Sequence, residues 1–298
     1  MTSLLSSITK IIPKPLKQLL VNQRKLIIDP YTWLKPEPWT TLIGRTLRYR
    51  AAGLGLALTE NEKRLLKHRD HHHEKRAFIL GNGPSLNLCD LSLIKDDITF
   101  GVNSIFLNQE RMGFFPTYYV VEDTFVAEDR AEQINQYTGP TKFFGNYLRY
   151  CLDDTDNTIW LNIGFRYSEY PGFPYFSRNA ARILWVGGTV TYICLQLAYY
   201  MGFTEVYLIG FDHNYQIPAD AIMTGRKNEI LSQSDDPNHF HPGYFGKGYR
   251  WHDPRVDRME KAYQRAKENF ETDGRFIYNA TVDGKLEIFP RVNYTDLF

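Results

Sequence analysis

From position 77 onward, short apolar runs alternate with stretches of helical periodicity. Residues 77–80, 98–102 and 118–121 predict buried strands, and 158–163 a fourth. In 188–201 the apolar positions Val190, Ile193, Cys194, Leu197, Ala198 and Met201 recur at helical spacing, and Gly202 marks the stop. The strand 205–209 follows at once. Residues 255–270 predict an amphipathic helix with charged outer positions. Residues 275–278 and 286–289 read as late strands around the turn Asp283-Gly284. Strands alternating with helices predict an α/β, Rossmann-like fold with a mainly parallel sheet covered by helices on both faces.

The first 76 residues have a different character. Lys10, Lys14, Lys17, Arg24 and Lys25 are interspersed with Ile11, Ile12, Leu16, Leu19 and Leu20. That pattern suits an amphipathic helix on an anionic membrane surface, and equally a helical appendage packed on the main domain. Residues 60–76 are charged and helix-like, and His71, His72 and His73 read as a solvated polar turn. The expected division is therefore a basic, helical segment over 1–76 and a catalytic domain over 77–298. Within the latter, about 213–253 forms a lid whose charged stretch 226–238 reads as exposed. No internal repeat is visible.

Composition narrows the class without naming the chemistry. The 35 Lys and Arg nearly balance 34 Asp and Glu, which argues against a nucleic-acid partner. Cys89, Cys151 and Cys194 lack the spacing of zinc sites or disulfide frameworks, so a reducing cytoplasm is expected. No apolar run approaches the length of a membrane span, and the start of the chain lacks a secretory signal pattern.

Ligands of open α/β sheets lie at the carboxyl ends of strands. The turn Gly81-Asn82-Gly83-Pro84-Ser85 follows the first strand directly. Its glycines allow close backbone approach, its free amides favour phosphate, and Asn82 offers an amide to a base, ribose or sugar. It lacks the third glycine of the dinucleotide fingerprint and the Gly-Lys-Ser/Thr of a Walker loop. Asn103 and Ser104 end the second strand. Gly210-Phe211-Asp212-His213-Asn214-Tyr215 ends another, where Asp212 can hold a ribose hydroxyl or a metal. Acid–base candidates gather in Asn238-His239-Phe240-His241-Pro242-Gly243-Tyr244, with His252 and Asp253 beyond. Glu122 and Asp123, after the third strand, suit magnesium. Asp153-Asp154-Thr155-Asp156 contains an Asp-x-Asp string but precedes a strand, which favours a turn cap.

The string Gly81-Asn82-Gly83-Pro84-Ser85-Leu86, then Asn103, then Gly187-Gly188-Thr189 through Leu208-Ile209-Gly210-Phe211-Asp212, resembles the bacterial sialyltransferases of glycosyltransferase family 42. It is similar also to the related domain of unknown function 115, which includes archaeal 6-hydroxymethylpterin diphosphokinases and motility-associated sugar transferases. The resemblance spans about 77–298 and implies a GT-A-like variant of the fold. It implies donor contacts from Gly81, Asn82, Gly83, Ser85, Asn103, Ser104, Gly188, Thr189, Asp212, Asn214 and Tyr215. Asn82 and Asn103 would hold the cytidine monophosphate part of a CMP-sugar, Thr189 would supply a hydroxyl, and a lid histidine would be the base. His239 and His241 both fit the last role. The family's third donor-binding amide falls near Glu122 or Asp123 here, and Asn214 and Tyr215 stand where it has phosphate-neutralising tyrosines. The sialyltransferase reading needs no cofactor; the pyrophosphokinase reading needs magnesium. The expected partners are a nucleotide-sugar and a glycan or lipid-linked acceptor, at the cytoplasmic face of the inner membrane, with a homo-oligomer left open.

Overall fold

The computed structural model describes residues 39–167, 170–225 and 228–298. The basic positions of the first 38 residues lie outside them. The described part begins with helices α1 (Trp39–Gly53) and α2 (Glu60–Lys67). A central sheet follows, built from β1 (Arg76–Leu80), β2 (Ile98–Val102), β3 (Tyr118–Val121), β4 (Thr141–Gly145), β5 (Thr158–Leu161), β8 (Glu205–Ile209) and β12 (Phe276–Asn279). Their order is β12-β8-β1-β2-β3-β4-β5, with every pairing parallel. Near-continuous apolar runs such as Ala77–Leu80, all buried, are what two covered faces require.

The order reverses direction between β1 and β8. β1 to β5 step outward one way, and the chain then crosses back to lay β8 and β12 on the other side of β1. Right-handed crossovers put the two sets of connections on opposite faces. The crevice between the carboxyl ends of β1 and β8 is therefore the topological switch point, where this architecture binds ligands.

Helix α5 (Val190–Met201) leads into β8 and is buried at every residue, packing against β1, β2 and β3 and beside α6 (Val256–Thr272). Its one amide, Gln196, is fully used. Oε1 accepts from Ser177 N and Trp185 N at 3.0 Å each, and Nε2 donates to Trp185 O and Tyr192 O. Gly202 closes the helix in the left-handed region, φ +91°.

Several expectations change. β4 was not legible in the sequence, because Lys142 breaks its apolar run; the ammonium is buried and donates to Ile134 O and Asn135 O. The expected strand 158–163 splits at Asn162. Ile163–Gly164 (β6) joins Leu184–Trp185 (β7) in a separate two-stranded sheet. Residues 286–289 form no strand. Leu286 and Phe289 are buried, but Leu286 O accepts from the Asn279 side chain, and only a bridge from Asn279 to Arg291 is formed. His72 is a core residue, its Nε2 2.5 Å from the Tyr118 hydroxyl and its ring stacked on Phe203. Burial pushes its pKa down to about 4.

The charged stretch 226–238 is not simply exposed. Ile222–Met223 (β9), Glu229–Leu231 (β10) and Arg250–His252 (β11) form a three-stranded antiparallel sheet, and Ile230 and Asp236 are buried. No helix among the described residues is long and apolar enough to cross a membrane.

Candidate functional site

The loops after β1 and β8 are in backbone contact. Gly81 N donates to Ile209 O at 2.8 Å and Gly83 N to Gly210 O at 2.9 Å. A Cβ on Gly81 would lie 2.4 Å from Gly210 O, so only glycine allows the approach. Asp212 then turns its carboxylate onto Ser85: Oδ2 accepts from Ser85 Oγ at 2.7 Å, and both oxygens lie near the Ser85 amide. In the turn expected to bind phosphate, the Ser85 amide and hydroxyl thus donate to Asp212. A carboxylate at this turn repels a second anion.

A cavity opens above these loops. Its walls include Asn82, Asn103, Glu122, Asp123, the α5 N-terminus from Gly188 to Thr191, Asn214 and Tyr215 at the rim, and His239 and Tyr244 from the lid. Among the buried polar atoms left without a hydrogen-bond partner in the described residues, Asn82 Oδ1, Asn103 Oδ1, His213 Nε2 and Trp251 Nε1 belong to residues that line it, and Ser104 Oγ follows Asn103 directly. Asn82 Nδ2 is already used, donating to Val102 O and the Tyr244 hydroxyl at 3.1 and 2.9 Å. Orphaned buried acceptors require an explanation. Two amide oxygens ask for ligand donors such as ribose hydroxyls or an exocyclic base amine, not for phosphate.

The part of the cavity wall suited to an anion is the N-terminus of α5. This twelve-residue helix directs the positive end of its dipole at the cavity. Thr189 caps it, Oγ1 accepting from Thr191 N at 3.3 Å.

The lid supplies the titratable chemistry and is tied down on two sides. Phe240 N donates to Asn82 O, and Asn87 Nδ2 to Phe240 O, both at 2.8 Å. Helix α3 (Thr124–Asp129) and the residue after it hold the other side, where Arg250 pairs with Glu128 and Asp129, and Arg130 donates to Gly243 O and Tyr244 O. His239 lies flat on Tyr244, ring centroids 3.9 Å apart, with Nδ1 2.7 Å from Asp236 Oδ2. Asp236 is buried and its oxygens also accept from Asn238 N and Phe245 N. A carboxylate at Nδ1 places the proton there and leaves Nε2 as the basic nitrogen. His241 does not line the cavity; its Nδ1 accepts from Gly243 N at 3.0 Å. The structure thus separates the two histidines that the sequence left equivalent.

A second imidazole–carboxylate pair joins His252 to Asp123 at 3.0 Å, the ring stacked on Phe125. Burial opposes charge on His252, but the Asp123 carboxylate prevails and holds it above its ordinary pKa. Burial likewise opposes the Asp123 charge, and His252 with the Phe125 and Val126 amides holds it below the ordinary carboxylate range. Asp123 Oδ1 caps α3 through those amides. Asp123 and Asp212 already accept from N–H and O–H donors, and Glu122 lines the cavity with them. No group of three metal-ligating side chains occurs among the described residues.

Burial, then the Asp123 charge, pushes Glu122 up from 4.5 to about 7. A carboxyl raised on folding is protonated in the folded chain where the unfolded chain has released its proton. Stability therefore falls as pH rises from about 4.5 to 7 and stays lowered above it. Glu122→Gln should melt higher than the unsubstituted protein at pH 8, by roughly 1–2 kcal/mol after allowance for partial solvation, and equally at pH 4. An equal gap at both pH values would remove the effect from Glu122's ionisation.

The model of the family described as 6-hydroxymethylpterin diphosphokinase MptE-like matches residues 56–218, more than half of the chain. The chain belongs to that family. The MptE-like region holds both switch-point loops, Asn103, Glu122, Asp123 and the α5 N-terminus, and ends before His239. Among solved structures, the MAf glycosyltransferase from Magnetospirillum magneticum AMB-1 is similar at 16% identity and a TM-score of 0.47, over 87% of this chain and 42% of that one. The chain spans less than half the length of that protein. No curated protein matches it.

Sequence reasoning missed Asp236, read only as part of a charged run, and named His252 as an acid–base candidate without its partner, which lies 129 positions away. A histidine three residues after an aspartate was the available signal for the first pair.

Proposed function

We propose that this protein transfers a group from a nucleotide-linked donor to an acceptor hydroxyl, with His239 as general base. The donor is a nucleotide-sugar, a CMP-sugar first, and the acceptor a glycan or lipid-linked saccharide of surface-polysaccharide assembly. One observation carries the reading. Asp236 orients His239, His239 stacks on Tyr244, and the Tyr244 hydroxyl accepts from Asn82, so the base and the orphaned amide oxygen belong to one packed chain of contacts. In the transfer, the acceptor O–H yields its proton to Nε2 and its oxygen bonds to the anomeric carbon. The bond from that carbon to the phosphate oxygen breaks, and the nucleotide leaves with the electron pair. Asn82 and Asn103 hold the nucleoside, and the α5 N-terminus stabilises the leaving phosphate.

The family description supports a second reading, a magnesium-dependent pyrophosphokinase that moves a diphosphate from ATP to the hydroxyl of a pterin. A thermal-shift screen against cytidine monophosphate, other nucleoside mono- and diphosphates and ATP, each with and without magnesium, separates the two. Metal-independent stabilisation by cytidine monophosphate is expected. Stabilisation by ATP with magnesium alone would overturn the transferase reading in favour of the second.

A further inference from the structure

A second cavity, of about 840 Å³, opens at the same edge of the sheet, beyond the carboxyl ends of β4 and β5. Asn146 and Asn162, just past those strands, form its floor. Helix α1 forms one wall, and Phe165, Arg166 and residues of the segment 176–185 form the other. Five arginines line it, Arg45, Arg50, Arg166, Arg178 and Arg182, and no described lining residue is acidic. In a chain with balanced charge, this is a local concentration of one sign.

Neighbouring groups hold three of these cations in place. The Arg166 guanidinium carbon lies 5.2 Å from the Tyr175 ring and 5.3 Å from that of Trp185. The Arg182 stem packs against Gly53, where an added Cβ would lie 2.9 Å from Arg182 Cβ. Arg178 pairs with Asp273 at 3.2 Å. Arg50, Arg166 and Arg182 pair with no carboxylate among the described residues. Guanidinium groups gathered in a concave site repel one another, and a multiply charged oxyanion relieves the repulsion while its oxygens accept their planar N–H forks. The aromatic walls, Phe165, Phe176 and Trp185, suit a sugar ring beside the anion.

We infer that this cavity is a separate binding site for a phosphate-bearing saccharide, whose phosphoryl oxygens are taken by Arg50, Arg166 and Arg182. The two cavities share a wall. Tyr147 lines the second and donates its hydroxyl to the backbone carbonyl of Glu122, which lines the first. A ligand anchored here by its phosphate is the transfer acceptor, an assignment that rests on the transferase reading; the binding itself does not.

The test uses the full chain and three probes: inorganic pyrophosphate and a hexose 1-phosphate by calorimetry, and phosphatidylglycerol against phosphatidylcholine vesicles by sedimentation. Saturating cytidine monophosphate is present throughout, to fill the first site. The double variant Arg166→Gln, Arg182→Gln is expected to weaken binding of the hexose 1-phosphate at least tenfold, while keeping its melting temperature and its response to cytidine monophosphate. Lys at both positions restores part of the affinity. Arginine-dependent binding confined to phosphatidylglycerol vesicles supports the site and makes a lipid headgroup the source of the phosphate. Absence of binding of every probe to the unsubstituted protein, or equal binding by the double variant, overturns the inference. Binding is read without turnover, so this result and that of the transferase reading fail independently.

Discussion

His239→Gln is expected to lower turnover by about three orders of magnitude while the nucleotide still stabilises the protein, because a general base contributes roughly 10² to 10⁴ in rate and little to donor binding. Glutamine keeps much of the stack on Tyr244 but supplies no basic nitrogen. Asp236→Asn acts through the same ring. It removes the charge that fixes the proton on Nδ1, so the wrong tautomer is populated and turnover falls by at least about a hundredfold. His241→Gln leaves turnover within about twofold, since that ring accepts from Gly243 N away from the cavity. Single-turnover kinetics with saturating donor check all three. Retention of more than a third of the rate by His239→Gln would remove the dyad from the mechanism, and equal losses at His239 and His241 would point to a disrupted lid instead.

Gly81→Ala is the second large effect, expected in stability and in donor binding together. The added methyl would meet Gly210 O at 2.4 Å and Gly210 C at 2.8 Å, and both are backbone atoms. They cannot retreat, because Gly81 N and Gly83 N are bonded to the same loop and β1 and β8 are paired along their whole length. The cost is about 3 kcal/mol, at the upper end of overpacking, or a fall in melting temperature of roughly 6–10 °C. Gly44→Ala serves as the control. It lies in α1 with nothing within 4 Å of the added Cβ, and alanine there stabilises a helix by up to about 1 kcal/mol. Calorimetric melts of the two variants should move in opposite directions. A Gly81→Ala protein that melts within 1–2 °C of the unsubstituted chain would show that the loops separate without cost.

Much of the architecture was legible locally. β2, β3 and β8 occupy the residues their apolar runs predict, and α5 stops at Gly202, because strand burial on two faces and a left-handed C-cap leave direct marks in the chain. β4 left no such mark, since its buried Lys142 depends on carbonyls of the preceding helical turn. The lid was misjudged for a related reason. Charged residues in 226–238 suggested exposure, yet Asp236 is buried as the partner of His239 and of two backbone amides.

The sequence by itself determined that the protein is an α/β chain with a glycine-rich turn after its first strand, an amide after its second, and histidines in a late loop. Those features rest on spacing and local backbone preference. Only the tertiary structure decided which of these residues act together. Strand order brought the loops of β1 and β8 into contact across 127 positions of sequence and bonded Asp212 to Ser85. Packing of the lid on Asn82 and Arg130 set His239 on the cavity wall and left His241 off it, and burial beside Asp123 raised the Glu122 carboxyl towards neutrality. Each outcome depends on which groups become neighbours and how much water they lose, and neither quantity is written in the order of residues along the chain.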